Sequence, residues 1–201
     1  RKKVKDEEKI VKWADMYSAL KKTFGDKVYY YLVDAKYRLP NLEEVKKFLA
    51  EDKTNDYKYQ SDWLDCDNYS LILAAMAITK TKFHLGIANS KIHSYNVVLL
   101  SNMEVKLIEP QNDMVFSPED IKKTTNAIVR KKKKEGKLKS SKIPYPEVID
   151  KVKMCVKKAS EKFPKGQTLD VWVNLLNEEL EKEGIADKLN KLYDTVFIYY
   201  T

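Results

Sequence analysis

From Leu71 to Ile78 the chain is apolar without interruption (Leu-Ile-Leu-Ala-Ala-Met-Ala-Ile), and a helix that is apolar nearly all round packs centrally rather than on a surface. Just before it stands Asp65-Cys66-Asp67-Asn68-Tyr69-Ser70, in which either aspartate can cap the helix. Beyond it the period changes to two. Residues 83–88 fit a strand, residues 89–91 a turn, and Ile92 to Leu100 a strand with His93, Tyr95, Val97 and Leu99 on one face. Residues 105–109 return as a second strand, with Val105, Leu107 and Glu109 sharing a face. A turn over 100–102 sets His93 opposite Glu109, and a turn over 101–103 sets them diagonally. Both registers keep the apolar residues on one side, whereas a two-residue turn would part the pair.

The flanking regions are helical by the same test. Apolar positions at Ile10, Val11, Ala14, Tyr17, Ala19 and Leu20 predict a helix from Asp6 to Phe24, stopped by Gly25. Residues 28–33 form a short β-prone run. Asn41 caps a second helix whose buried stripe is Leu42, Val45, Phe48 and Leu49, and residues 53–62 are polar enough for a loop. After Ser117 a helix begins at Pro118 and runs into the lysines. A loop over 136–146 separates it from amphipathic stretches at 146–163 and 169–183, and residues 194–200 end the chain as a strand able to join a sheet edge. The expected architecture is α+β. A core over residues 1–118, with its motifs between 60 and 113, carries a buried, cysteine-bearing helix on an antiparallel sheet. Residues 119–201 form a helical extension packed on that core, with a basic run at 130–142.

Charge adds little to this. The formal net charge is +8, much of it in Arg130 to Lys134 with Lys137, Lys139 and Lys142 following. Such a run can bind nucleic acid, but no aromatics are interleaved with it, so a solvated helix end is the simpler reading. A Lys/Glu-rich, Gln-poor profile resembles hyperthermophile proteins. No apolar run is long enough to span a membrane. Two cysteines in unlike contexts make no disulfide framework, which fits a reducing cytoplasm or a virus particle. Cys155, in Val152-Lys153-Met154-Cys155-Val156, reads as a small buried hydrophobe.

Cys66 is different. It is a thiol at the head of a helix, where the anion is favoured, followed by an imidazole on one strand and a carboxylate on the next. A thiolate nucleophile, a base and an orienting group form a constellation for nucleophilic chemistry, with Cys66, His93 and Glu109 in those roles. His84, on the preceding strand, is a rival base. Each residue also has a structural reading: a buried thiol, a core histidine, a solvent-facing glutamate and two helix-capping aspartates.

The order of these motifs resembles the papain-like cysteine peptidase superfamily. More narrowly, Asp65-Cys66-Asp67-Asn68-Tyr69, His93-Ser94-Tyr95-Asn96-Val97 and Ile108-Glu109-Pro110-Gln111 resemble the C-terminal domain of agglutinins of the fairy-ring mushroom type and its phage and viral relatives, over about residues 40–118. The resemblance implies a calcium-dependent cysteine peptidase acting on peptide or protein substrates with a Cys66-His93-Glu109 triad. It implies Gln60, six residues before Cys66, as the oxyanion-hole donor. It implies calcium held by Asp65, Asp67 and Asp113, although calcium takes six to eight oxygens. The alternatives are a non-catalytic structural or binding protein, such as a viral one, on the same fold, or a nucleic-acid binder using residues 130–142.

Overall fold

The computed structural model describes residues 9–60 and 63–200. Strand β1 (Lys9–Lys12) runs directly into helix α1 (Trp13–Phe24). Strands β2 (Tyr29–Leu32) and β3 (Lys36–Leu39) follow, then α2 (Leu42–Glu51) and α3 (Cys66–Thr81). Strands β4 (Gly86–Asn89), β5 (Ser94–Leu99), β6 (Val105–Glu109) and β7 (Met114–Phe116) come next. Three helices complete the chain, α4 (Pro118–Lys134), α5 (Tyr145–Lys162) and α6 (Leu169–Lys182), ahead of strand β8 (Phe197–Tyr200). No described helix is long and apolar enough to cross a membrane.

The fold is α+β around a six-stranded mixed sheet in the order β2-β8-β4-β5-β6-β7. The antiparallel sheet expected from the motifs covers only its β8-β4-β5-β6-β7 part, because β2 pairs with β8 in parallel. Nor does the last strand add to an edge. It lies inside the sheet, between β2 and β4, with Ile198 and Tyr200 completely buried. Gly86 makes this possible, since a Cβ there would run into the Tyr200 ring, whose hydroxyl donates to the Val97 carbonyl at 2.8 Å.

The helix expected from Asp6 begins only at Trp13. Residues 9–12 pair with β3 instead, Val11 opposite Tyr37, and both of those side chains are buried. Two β-branched residues with a strand to pair against outweigh a helical spacing that rested partly on them. Residues 6–8 lie outside the described residues.

The sheet is covered on both sides. Val98, Leu100 and Ile108 pack with Val45, Phe48 and Leu49 of α2 and Leu73, Ala74 and Ala77 of α3. Tyr95, Val97, Leu99 and Leu107 point the other way, into a core with Val152, Cys155 and Val156 of α5 and Trp172, Val173 and Leu176 of α6. Every residue of β5 is therefore buried. Residues 119–200 thus form one wall of a core that also takes Met16 and Leu20 from α1.

Candidate functional site

Helix α3 begins at Cys66. The backbone N–H of Asp65, at the N-cap, donates to the Asn68 side chain at 3.3 Å, and the Asp65 carbonyl accepts from the Tyr69 N–H at 2.9 Å. The thiol thus sits in the first turn of a sixteen-residue helix, where unpaired N–H groups and the helix dipole favour negative charge. Cys66 is 3% exposed.

The imidazole is supplied by the β4–β5 turn. The Ser90 hydroxyl accepts from the N–H groups of Ile92 and His93, and the Ser90 N–H donates to the His93 carbonyl at 2.9 Å, which holds His93 just ahead of β5. The β5–β6 register pairs Leu99 with Val105 and Val97 with Leu107, so His93 and Glu109 stand diagonally. This is the register with the turn over 101–103, in which the Leu100 N–H donates to the Glu104 carbonyl at 2.8 Å. Diagonal spacing suffices, because His93 Nε2 lies 2.8 Å from Glu109 Oε2 with both side chains wholly buried.

Burial works against a charged imidazole, but Glu109 and the Cys66 thiol outweigh it and push His93 up to about 10. His93 is therefore an imidazolium at neutral pH. Its second nitrogen, Nδ1, has no hydrogen-bond partner of standard geometry, and the thiol acts on the ring from close by. Loose contacts of this kind are common between reacting groups in ligand-free proteins.

Three residues from the C-terminal helices and the segment after them complete the centre. The Tyr193 hydroxyl donates to Glu109 Oε2 at 2.9 Å and accepts from Trp172 Nε1 at 3.2 Å. Its ring stands edge-on to His93, with centroids 5.6 Å apart. From α5, Lys153 Nζ reaches Asp65 Oδ2 at 2.6 Å, close enough to Cys66 to feel its charge. Sequence reasoning missed all three, and no local pattern marks them. The nearest signal for Lys153 was its place within a single turn of Cys155 on a stretch expected to be helical.

The remaining expected site residues fall elsewhere. Gln60 is exposed, held by paired backbone hydrogen bonds to Leu64, and no described contact links its side chain to Cys66. His84 faces Asp34 at 3.7 Å and the edge of Tyr37. Cys155 is buried between helices, and burial pushes its thiol up to about 12. Lys132, within the basic run, is tied into the fold by Asn177 at 2.9 Å and by Glu181, while Lys131, Lys133 and Lys134 extend from the end of α4.

The three aspartates do not converge on one ion. Asp67 is pushed up by its hydrogen bond to Asp65. Asp65 is held down, against its burial, by Asp67 and Lys153. Asp113 answers to a different set of charges, with Asp52 and Asp56 raising it and Lys165 and Lys53 opposing them. Ligand atoms of Asp65, Cys66 and Asp67 lie within 4.8 Å of one another, but the Lys153 ammonium already occupies Asp65. A thiol also suits a hard cation poorly. This donor set does not fit calcium, and no chemistry below is routed through it.

No protein-family model matches the chain, and no curated protein does. Two solved structures are similar over 53% of this chain and 45% of their own length. One, described as "PSL1a-E64 complex", is 15% identical with a TM-score of 0.47. The other, a Polyporus squamosus lectin bound to a human-type influenza-binding epitope, is 17% identical with a TM-score of 0.45. A likeness at this level assigns no ligand and no activity to this chain. The papain-like peptidase expected from the motifs is corrected: one of these two structures is described as a lectin, and neither a family model nor a curated sequence supports a hydrolase. The membership in the fairy-ring agglutinin type, the peptidase activity and the peptide substrate that went with it are withdrawn. The physical lesson is that a thiol, an imidazole and a carboxylate in one row are a chemical capacity, and fold and motif order do not make it an activity.

Proposed function

We propose that this chain is a binding protein whose centre is a nucleophilic thiol, Cys66, which captures an electrophilic ligand without turning it over. The observation that carries this reading is the enclosed row of Cys66, His93 and Glu109, with His93 and Glu109 joined at 2.8 Å. Cys66 and His93 are each 3% exposed and Glu109 is fully buried. Lys153 and Tyr193 close around them from the helical side. A groove for an extended chain would need these groups on an open floor; an enclosed row favours a small ligand held in place.

The chemistry follows from the charges. The first turn of α3 and the charged His93 ring both set positive charge beside Sγ of Cys66. On a ligand bearing an epoxide, Sγ attacks a ring carbon, the C–S bond forms and the C–O bond breaks. The proton on His93 passes to the alkoxide so released. The product is a thioether, which water does not cleave, so the ligand stays bound. Glu109 holds the ring and its charge, with Tyr193 and Trp172 behind it.

Iodoacetamide labelling followed by peptide mapping tests the reading. Cys66 is expected to alkylate at least about tenfold faster than Cys155, whose thiol burial keeps protonated. The Cys66→Ala variant should keep its fold and take no fast label. Equal rates at the two cysteines would falsify the proposal.

A further inference from the structure

A separate cavity of about 260 Å³ opens between the β4–β5 turn, the start of α5 and the segment leading to β8. Its floor is apolar: Ile92 and Val148, both nearly fully buried, with Ile143 and the ring of Tyr145. Its rim is basic, with Lys91, Lys188 and Lys191 against a single lining carboxylate, Asp194. Lys188 is engaged by Asp187 at 2.7 Å, while the Lys191–Asp194 pair is 3.5 Å long and exposed on both sides. Lys91 has no ion-pair partner among the described residues. The Tyr145 hydroxyl donates to the Lys91 carbonyl, so the rim is tied to the wall of the cavity.

We propose that this cavity binds a small amphiphile with a short apolar body and one anionic group, of the carboxylate class. The floor offers nothing polar to satisfy, so it selects a hydrocarbon or aryl body. The rim has a surplus of positive charge held at the mouth, where an anion keeps part of its hydration while pairing with Lys91 and Lys191. The volume lies just below the usual range of ligand pockets, roughly 300–1,000 Å³, which limits the occupant to about ten non-hydrogen atoms. A ligand of that size binds with a dissociation constant of roughly 10–1,000 µM. The proposal is independent of the reactivity of Cys66.

Octanoate, octylamine and acetate are suitable probes, titrated by calorimetry with the methyl resonances of Ile92, Ile143 and Val148 followed in parallel. Octanoate is expected to bind at one equivalent and shift those methyls, with octylamine and acetate each at least tenfold weaker. The Lys91→Glu/Lys191→Glu double variant changes two exposed side chains and leaves the floor intact. It should weaken octanoate at least tenfold and erase its advantage over octylamine. Equal binding of octanoate and octylamine to the unaltered protein would overturn the proposal. So would methyl shifts confined to other residues, or no binding of octanoate by either method.

Discussion

Glu109 Oε2 is shared: His93 Nε2 lies 2.8 Å from it and the Tyr193 hydroxyl 2.9 Å, so one carboxylate oxygen joins a strand of the sheet to the connection after α6. Tyr193→Phe removes the second donor and leaves Trp172 Nε1 without its acceptor. The ring contacts with His93 and Phe116 survive in the phenylalanine. A hydrogen bond to a charged group contributes about 1.5–3 kcal/mol. A fall in Tm of several degrees is therefore expected in thermal unfolding, together with slower alkylation of Cys66. An unchanged Tm would show that the hydroxyl is better served by water than by Glu109.

Replacing Glu109 by Gln removes the charge that offsets the burial of His93. Without it only the Cys66 thiol opposes burial, so the imidazole should give up its proton at lower pH than in the unaltered protein. The sign for stability follows from the raised value in the native chain. The contribution of His93 is complete below about pH 6.5, its unfolded value, and is lost as pH rises toward about 10. Proton NMR of the imidazole should show deprotonation near pH 10 in the unaltered protein. In the variant that deprotonation should move to clearly lower pH, and alkylation of Cys66 at pH 7 should slow at least tenfold. An unmoved titration would mean that Glu109 does not govern the ring.

Asp113 offers a test in which a substitution stabilises. Burial and then Asp52 push its carboxyl up to about 7, and its backbone has φ 60°. Its proton is retained in the native chain after the unfolded chain has lost it. Stability from this group is thus present below about pH 4 and lost as pH rises through about 7. Asp113→Asn keeps an oxygen for the Asn55 amide to donate to, and asparagine tolerates the left-handed backbone. In the presence of a chelator, the variant should melt at least about 2–4 °C higher at pH 8, equivalent to roughly 1 kcal/mol, and no higher at pH 4. A gain of the same size at both pH values would point to the backbone rather than the charge.

The Lys153 ammonium lies 2.6 Å from Asp65, and the third donor beside Asp65 and Asp67 is a thiol. A hard cation gains little from that set. Calorimetric titration with calcium should therefore give no heat that Asp65→Asn removes. A calcium-binding heat lost in that variant would show that the ion displaces Lys153.

What the residue pattern made legible was local. The apolar run set α3 behind Cys66, and alternation of His93, Tyr95, Val97 and Leu99 set the face and left two registers, of which the structure takes the diagonal one that brings His93 to Glu109. Asn41 caps α2 through a hydrogen bond from the Glu44 N–H at 2.9 Å, as its type and position suggest. What escaped was contact between distant residues. Lys153 and Tyr193 each lie more than eighty residues from their partners Asp65 and Glu109, and nothing in either neighbourhood distinguishes them. The pairing of β1 with β3 was hidden because Ile10 and Val11 suit a helix stripe and a strand equally well. The motifs around Cys66, His93 and Glu109 were real as geometry, but they were too short to carry an activity with them.

The position of β8 sets an order of events on the ribosome. Within the main sheet β2 has one neighbour, β8, so residues 29–32 emerge early and wait for residues 197–200 before they can join it. Until then β4 also presents an open edge, the kind of surface that recruits other chains. A product stopped short of residue 193 lacks the Tyr193 hydroxyl that Glu109 otherwise holds, and one stopped short of 197 leaves β2 with no partner in the main sheet. Truncated chains should therefore be degraded or aggregate rather than accumulate as partly working protein.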